Sequence, residues 1–358
     1  MRHPIFLLAA LALALPAAAQ TNEDVITSIT YEESPVKLQI PDITGFFTLK
    51  CDLHTHTVFS DAGLWPTDRV KEAWLHGLDA ICISDHIEYT PHHRDGYMTS
   101  DLNASYEIAK EFEKTHDIMV IHGAEITRSK PFGHMNAIFI DDAEAMRVSD
   151  PVKALQVARS QGAVLMWNHP GWPDAKSTFY PIQDSLIKAG LIDLVEVHNS
   201  SETYPVTFDW IDKYNIAPAA NSDIHASTEI FYRDDQRPLT LVFAKKRTPE
   251  SLREALIRKR TAAFFYGKVM ASYIWARALF DASLSYKVVN HTADAAVVEF
   301  RNNSSIPIYL KESSGQVVYI APMSTTSTIT NPVATHYTVT NYFIGSGKNL
   351  EIDLKWRK

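Results

Sequence analysis

Histidines and acidic residues recur in this chain directly after short apolar runs. The first group, His54-Thr55-His56, follows the apolar run Phe46-Phe47-Thr48-Leu49, which is typical of a buried strand. Because residues i and i+2 of a strand point to the same side, His54 and His56 should project toward one point. Two adjacent imidazoles are a suitable pair of metal ligands, and Asp61, past the following turn, could add a carboxylate.

The same pattern recurs at further points along the chain. Each group adjoins an apolar run of strand-like composition. Recurrence at the ends of successive strands is hard to attribute to chance, and it favours one shared metal site. The further groups are Asp85-His86, Glu125, His134, His169, His198, and Asp223 with His225.

Strand-like and helix-like segments alternate over residues 46–270. Thr67 is a candidate helix N-cap, and Asp150 followed by Pro151 is another typical helix start. The alternation predicts an α/β fold, with a parallel sheet and helical crossovers closed or nearly closed into a barrel. In such barrels the carboxyl ends of the strands form the active face, and most of the polar groups fall at such ends.

The two ends of the chain differ from this central part. Residues 271–358 alternate apolar and polar positions between turn residues, which predicts a small C-terminal β-sandwich without a ligand-like cluster. Residues 1–20 resemble a secretory signal, with Arg2, an apolar run and small residues before Gln20. That run is too short for a permanent membrane anchor. The signal therefore predicts that the mature protein is exported, to the periplasm or the medium. Residues 21–45 are predicted to form an extended arm.

Composition limits the classes of partner and the state of the cysteines. The chain has 358 residues, 15 of them His, and a formal net charge of -8, so a nucleic-acid backbone is not expected as its main partner. Cys51 has the opposite strand parity to His54, whereas Cys82 shares the parity of His86. This parity predicts that the two cysteines lie on opposite faces of the sheet, as buried free thiols.

Several short motifs carry a family resemblance. They are His54-Thr-His56 with Ser60-Asp61, Ile83-Ser-Asp-His86, Gly123-Ala-Glu125, Gly133-His134, Asn168-His169-Pro170 and Ser222-Asp223-Ile-His225. In this order, over about residues 47–265, they resemble the PHP (polymerase and histidinol phosphatase) family. The resemblance implies a distorted (β/α)7 barrel that holds two or three divalent metal ions. Most characterised catalytic members hydrolyse phosphoesters, so a metal-dependent phosphoric ester hydrolase is implied.

Carried over residue by residue, the resemblance implies three metal positions. Manganese is expected first, with zinc or iron as alternatives. The family often has His where Asp61 stands, which leaves the occupancy of the second position open. The first position would be held by His54, His56, Glu125 and Asp223, the second by Asp61, His86 and His225, and the third by Glu125, His134 and His169, with Glu125 bridging.

The expected reaction is attack of a metal-bound hydroxide on the phosphorus of a small phosphate ester. Asp85 is expected to orient a ligand imidazole. His198 is a candidate for substrate contact or for protonation of the leaving group. Arg233 is the preferred cation for binding the phosphate, with Arg128 and Lys130 as alternatives.

Other functions stay open at this point. A diester is favoured over a monoester because the sequence has no dense basic cluster for a dianionic phosphate. The same ligands would also serve a metal-dependent amidohydrolase that acts on C–N or C–O bonds. A non-enzymatic metal-binding or surface-binding protein is the remaining alternative, and the open set of His and carboxylate ligands argues against it.

Overall fold

The computed structural model describes residues 34–35, 37–232 and 237–356. The predicted signal at 1–20, the predicted arm up to residue 33, and Arg233 lie outside these ranges. Among the described helices, none has the length and apolar character needed to span a bilayer.

Strands and helices alternate through the central part, as the sequence predicts. The strands are β1 (Phe47–Asp52), β2 (Ala80–Ile83), β3 (Met119–Thr127), β4 (His134–Ile138), β5 (Val164–Trp167), β6 (Leu194–Asn199), β7 (Glu202–Thr203), β8 (Ala217–Asn221), β9 (Leu239–Ala244), β10 (Thr261–Phe265) and β11 (Lys268–Ala271). The helices are α1 (Pro66–Leu75), α2 (Pro91–Arg94), α3 (Ala104–Glu113), α4 (Pro151–Ser160), α5 (Pro181–Lys188), α6 (Thr207–Tyr214), α7 (Thr228–Phe231) and α8 (Pro249–Ile257), with a 3-10 turn at Glu144–Met146.

One large sheet carries these strands, in the order β11-β10-β9-β1-β2-β3-β4-β5-β6-β7, with β8 beside β6. The pairs β1–β2, β2–β3, β5–β6 and β6–β8 are parallel. Strand β4 runs antiparallel to both of its neighbours. Only residues 128–133 connect β3 to β4, which is too short for the crossover that a parallel pair needs. The α/β class is confirmed, but the sequence pattern did not show the antiparallel pairs, which are those of β4 and also β1–β9, β9–β10 and β10–β11.

An apolar cluster lies between the strands of this part. The strand residues in it include Leu49, Leu53, Val164 and Val242, and helix α8 adds Leu252, Ala255 and Leu256. Side-chain hydrogen bonds also join β8 to β9 and β10. Oγ1 of Thr240 accepts a hydrogen bond from the backbone N of Ala220 at 3.1 Å, and Oγ1 of Thr261 donates to the backbone O of Pro218 at 2.8 Å.

The C-terminal part contains two groups of strands. One is a separate three-stranded sheet, β12-β13-β16, and the other continues the large sheet because β17 pairs in parallel with β11. Phe300, Tyr337 and Trp356 are buried in the core of this part. The elements are α9 (Tyr273–Ser283), β12 (Leu284–His291), β13 (Ala296–Asn302), β14 (Ile308–Glu312), β15 (Val317–Ile320), β16 (Thr325–Thr330), β17 (Ala334–Gly345) and β18 (Lys348–Lys355).

Three local expectations can be compared with the helices. Asp150 caps α4 as predicted, because its side chain accepts a hydrogen bond from the backbone N of Val152 at 2.9 Å. Thr67 does not cap α1, because the helix already begins at Pro66, whose fixed φ suits the first helical position. Helix α9 was not predicted. Its buried residues recur at helical spacing, at Ala276, Leu279, Phe280 and Ser283.

Both cysteines are free and buried, as predicted, but the stated reason is wrong. The β1–β2 register pairs Cys51 with Ala80, so Cys82, two residues further along β2, lies on the same face as Cys51. The two residues also belong to one apolar cluster. The parity argument failed because β2 ends at Ile83, so strand alternation does not carry through to His86.

Candidate metal centre

The nine predicted ligands converge on one site. Seven of them follow the carboxyl ends of β1, β2, β5 and β8, whereas Glu125 lies within β3 and His134 opens β4. Because β4 runs antiparallel, its first residue lies at the same edge of the sheet as the last residues of its parallel neighbours. The nine are His54, His56, Asp61, His86, Glu125, His134, His169, Asp223 and His225.

His54 and His56 direct their Nε2 atoms at the same carboxylates. The two atoms lie 3.2 Å and 3.0 Å from Oδ1 of Asp223. They lie 3.7 Å and 3.6 Å from the carboxylate oxygens of Glu125. The i, i+2 spacing therefore delivers both imidazoles to one point, as the sequence predicts.

A second group surrounds Asp61. Oδ1 of Asp61 lies 3.5 Å from Nε2 of His86 and 3.2 Å from Nε2 of His225. The ring of His56 stacks against both histidines, with its centroid 4.4 Å from that of His86 and 4.3 Å from that of His225. Asp61 thus reaches the cluster from the loop after β1.

A third group surrounds Glu125, which is fully buried. Its Oε1 lies 2.9 Å from Nδ1 of His134 and 3.6 Å from Nε2 of His169. Nδ2 of Asn168 donates a hydrogen bond to the same oxygen at 2.9 Å. Glu125 therefore lies between the first and third groups, in the position that a bridging ligand requires.

The donor atoms fit divalent metal ions. In each of four overlapping groups the candidate ligand atoms lie within 4.8 Å of one another. Nε2 of His54, both ring nitrogens of His56, Oδ1 of Asp61 and Oε2 of Glu125 are buried and have no hydrogen-bond partner among the described residues. Buried polar atoms are normally paired, and imidazole with carboxylate suits borderline and hard cations. The four groups are His54/His56/Glu125, His54/His169/Asp223, Glu125/His134/His169 and His56/Asp61/His86/His225.

The charges in the cluster shift the pKa values of its members in opposite directions. Burial, with the adjacent rings of His86 and His225, lowers the pKa of His56 to about 4, so this imidazole is neutral at pH 7. Burial alone would raise the pKa of Glu125, but the charges of His86 and His54 outweigh it and hold that pKa well below its ordinary value. Against burial, the neighbouring carboxylates raise the pKa of His54, His86, His169 and His225, so metal binding to these rings would release protons.

Glu196 is a functional residue that the sequence analysis missed. It is fully buried in β6, and its Oε1 lies 3.0 Å from Nδ1 of His54. Its Oε2 accepts hydrogen bonds from the backbone N of His169 at 2.7 Å and from Nδ2 of Asn199 at 2.8 Å. A carboxylate between Val195 and Val197 of a buried strand was the available signal, because a buried charge must be paired.

A second buried carboxylate, Asp52, was also missed. It accepts a hydrogen bond from Oγ of Ser222 at 2.5 Å and forms an ion pair with Arg237. The backbone N of Asp223 in turn donates to the backbone O of His54 at 2.9 Å. Asp52 therefore joins β1 to the segment after β8, so that ligands from both are held together.

Asp85 and His198 have contacts that differ from their expected roles. Asp85 accepts hydrogen bonds from the backbone N of Thr57 at 2.7 Å and from Oγ of Ser60 at 2.6 Å, so it holds the turn after β1 rather than an imidazole. The ring nitrogens of His198 lie 2.8 Å from Oγ1 of Thr203 and 3.0 Å from the backbone O of Ser200. These contacts belong to the β6–β7 hairpin and give no support to a role in substrate contact.

The backbone is strained at the candidate ligand Asp223, and φ is also positive at His169. Asp223 has a φ of 50°, in the left-handed region that non-glycine residues seldom occupy. Such conformations persist where the surrounding structure fixes them, and they cluster at functional sites. The backbone hydrogen bond to His54 and the contacts of its neighbour Ser222 supply that fixation here.

A cleft of about 840 Å³ opens onto the cluster. Arg128 and Lys130 line it, but each is already paired with a carboxylate. Arg128 pairs with Glu88, and Nζ of Lys130 lies 2.5 Å from Oδ1 of Asp174. Trp172 and Tyr180 also line the cleft, together with Tyr89 and Tyr204.

Comparison with solved structures identifies the family. The chain is 32% identical to a two-domain protein of Bacteroides vulgatus that contains a predicted PHP-like metal-dependent phosphoesterase. The match covers 91% of this chain and 100% of that chain, with a TM-score of 0.86. The chain belongs to the PHP-like metal-dependent phosphoesterases. It is therefore a hydrolase of the PHP family, as the motifs indicate.

Other comparisons are more distant or partial. The histidinol phosphate phosphatase of Lactococcus lactis, solved with zinc, is 15% identical and covers 60% of this chain and 97% of that chain, with a TM-score of 0.29. An uncharacterised protein of Methanocaldococcus jannaschii is 38% identical over 85 residues, which are 23% of this chain. That match covers 36% of the relative's own length. Models of known protein families give no match.

Proposed function

We propose that this protein is an exported, metal-dependent phosphodiesterase of the PHP family that acts on small phosphate esters. The observation that carries this proposal is the convergence of buried imidazole and carboxylate atoms that have no hydrogen-bond partner among the described residues. Such a cluster is costly to maintain unless a cation binds it. The open cleft beside the cluster gives a substrate access to such cations.

The residues of the chain divide this work. The nine clustered ligands would hold two or three divalent ions, with Glu125 shared between the first and third positions. When bound, these ions supply an activated water and neutralise charge on the phosphate. Glu196 and Asn168 orient ligands by hydrogen bonds to His54 and Glu125. The buried position of these partners excludes water from the rear of the cluster.

The charge of the cleft supports a diester over a monoester. Among its described lining residues, the two cationic side chains Arg128 and Lys130 face five carboxylates, Asp61, Glu88, Asp174, Glu202 and Asp223. Both cations are neutralised by direct partners. A monoester dianion would therefore depend on the metals alone for neutralisation, whereas a diester carries one negative charge.

Further parts of the proposal rest on the sequence and on local contacts. Residues 1–20 support export, and the mixed His and carboxylate donors support manganese, with zinc or iron as alternatives. We also propose that the central strands close into a barrel, which the hydrogen bonds of Thr240 and Thr261 to β8 support. Residues 271–358 would form the β-sandwich domain, which the two facing strand groups support.

The test is hydrolysis by purified protein after metal removal and reloading with Mn²⁺, Zn²⁺ or Fe²⁺ in separate samples. Bis-(p-nitrophenyl) phosphate and p-nitrophenyl phosphate report diester and monoester cleavage, and p-nitroacetanilide reports C–N cleavage. We expect reloaded protein to cleave the diester fastest and chelated protein to be inactive. Faster monoester cleavage would refute the diester assignment, and amide cleavage without ester cleavage would refute the phosphoesterase assignment.

A further inference from the structure

Two exposed aromatic side chains border the metal cluster within the cleft. Trp172 is 52% exposed, and its ring lies 5.0 Å from the ring of His134 and 5.7 Å from that of His169. Tyr89 is also 52% exposed, and its ring lies 6.1 Å from that of His86. Both line the cleft. We call Trp172 and Tyr89 the aromatic rim.

The loop that carries Trp172 is held in place. The backbone N of Trp172 donates to the backbone O of His169 at 3.0 Å. Nζ of Lys130 donates to Oδ1 of Asp174 at 2.5 Å and to the backbone O of Lys176 at 2.8 Å. A Cβ at Gly171 would lie 2.6 Å from a ring carbon of Tyr204, so the loop packs against that ring only because residue 171 is glycine. The indole face is thus presented at a fixed place.

The cleft has room for more than a phosphate group. Its volume of about 840 Å³ is in the range of sites that take whole small molecules. Because the ring of Trp172 lies beside two ligand rings, a phosphate held by the metals would have its ester group on the side of the cleft that carries the indole. Polar side chains lie among the aromatic ones, including Ser129, Thr178 and Ser201. This mixture suits a flat ring with a polar edge better than an alkyl chain.

We propose that the aromatic rim binds a flat aromatic or heteroaromatic ring on the substrate, so that the preferred substrates are phosphate esters bearing such a ring. This inference rests on the proposed function, because the metal cluster positions the phosphate next to the rim. The stacking contribution of one ring pair corresponds to a change of about 3- to 10-fold in affinity.

The test measures binding of three non-hydrolysable probes to the Mn²⁺-loaded protein by calorimetry. Methylphosphonate reports the phosphate position, phenylphosphonate adds a flat ring, and cyclohexylphosphonate adds an apolar ring that is not flat. We expect phenylphosphonate to bind about 3- to 10-fold more tightly than cyclohexylphosphonate. Trp172→Ala should abolish that difference and leave methylphosphonate unchanged, whereas Trp172→Phe should retain most of it.

Tyr97→Ala is the matched control, because Tyr97 is 81% exposed on the same segment as Tyr89 but is not among the lining residues. It should bind all three probes as the wild type does. If Trp172→Ala loses methylphosphonate binding, Tyr89→Ala takes its place in the comparison. Equal affinity for the phenyl and cyclohexyl probes in the wild type would overturn the inference. Failure of all three probes to bind a protein that still cleaves bis-(p-nitrophenyl) phosphate would also overturn the inference, whereas failure of both probe binding and diester cleavage would overturn the proposed function.

Discussion

Oε1 of Glu196 lies 3.0 Å from Nδ1 of His54, and both side chains are fully buried. A carboxylate at Nδ1 fixes the tautomer of the ring and leaves Nε2 directed at the cluster. The same carboxylate holds the backbone N of His169. Glu196 therefore orients ligands from two strands, although it belongs to none of the four ligand groups.

Glu196→Gln should weaken metal binding by about 10- to 100-fold, as is usual when the hydrogen-bond partner of a ligand is altered. The amide keeps the size of the side chain but removes its charge. Competition with a chelator measures the affinity. Glu202→Gln, an exposed change in the adjoining hairpin, should leave that affinity unaltered. Wild-type affinity in Glu196→Gln would show that the carboxylate does not orient His54.

Glu125→Ala should be the most damaging change to a single ligand, because it removes the carboxylate proposed to bridge the first and third metal positions. We expect the purified variant to lose metal and activity together, as measured by elemental analysis and diester cleavage. Glu229→Ala, an exposed change on α7, serves as the control. Full metal content in Glu125→Ala would rule out the bridging position.

Asp174→Asn should shift substrate preference toward monoesters. The change removes the carboxylate that neutralises Lys130, and the freed ammonium would favour a dianionic phosphate. The kcat/KM for p-nitrophenyl phosphate, relative to the bis ester, should rise by a few fold. Asp184→Asn breaks a comparable ion pair with Lys188 on α5 and should not change the ratio. An unchanged ratio in Asp174→Asn would contradict the charge argument for diesters.

Acid should destabilise the fold through His122, which lies away from the metal cluster. Burial lowers its pKa from an ordinary 6.5 to about 4. The charge of Lys110 acts in the same direction, whereas the charges of Asp142 and Asp141 oppose the shift. Between pH 6.5 and pH 4 the unfolded chain therefore binds a proton that the folded chain does not. The contribution of His122 to the free energy of unfolding keeps its full value above pH 6.5 and decreases as the pH falls toward 4.

The loss from this one histidine amounts to roughly 2 kcal/mol between pH 7 and pH 4.5. Between pH 7 and pH 4.5, the free energy of unfolding of His122→Gln should therefore fall less than that of the wild type. Urea titration of chelated protein measures both. His336→Gln, at an exposed position on β17, should keep the wild-type dependence. Parallel pH dependences for His122→Gln and the wild type would contradict the assignment.

The two thiols should be unreactive until the protein unfolds. Cys51 and Cys82 are fully buried, and burial raises the pKa of both thiols. A thiol reagent should find two free thiols after denaturation without reductant and neither in the native state. A native reaction at either residue would show that the apolar cluster opens.

The sequence located most of the ligands because seven of the nine follow the carboxyl end of a strand. His54 and His56 show why this works, since their i, i+2 spacing just after β1 sends both toward Asp223. It was less successful for the residues behind the ligands. Glu196 was missed between two valines of β6, and Asp85 was expected to orient an imidazole but binds Thr57 and Ser60 in a turn.

The topology could be predicted only in part. Alternating strands and helices favoured parallel pairing, but the six residues 128–133 force β4 to run antiparallel. Helix α9 was overlooked because the alternating strands after it dominated the pattern of the C-terminal part. In each case the deciding factor was the length or burial of a short segment rather than its composition.

The parallel pairing of β11 with β17 links the stabilities of the two parts of the chain. One apolar cluster contains Val70 of α1 and Trp356 near the C-terminus, so loss of either part would expose apolar surface of the other. Unfolding should then be a single cooperative transition rather than two independent ones. A protease would find few partly opened states to cleave, and such kinetic resistance would suit the proposed export of the protein.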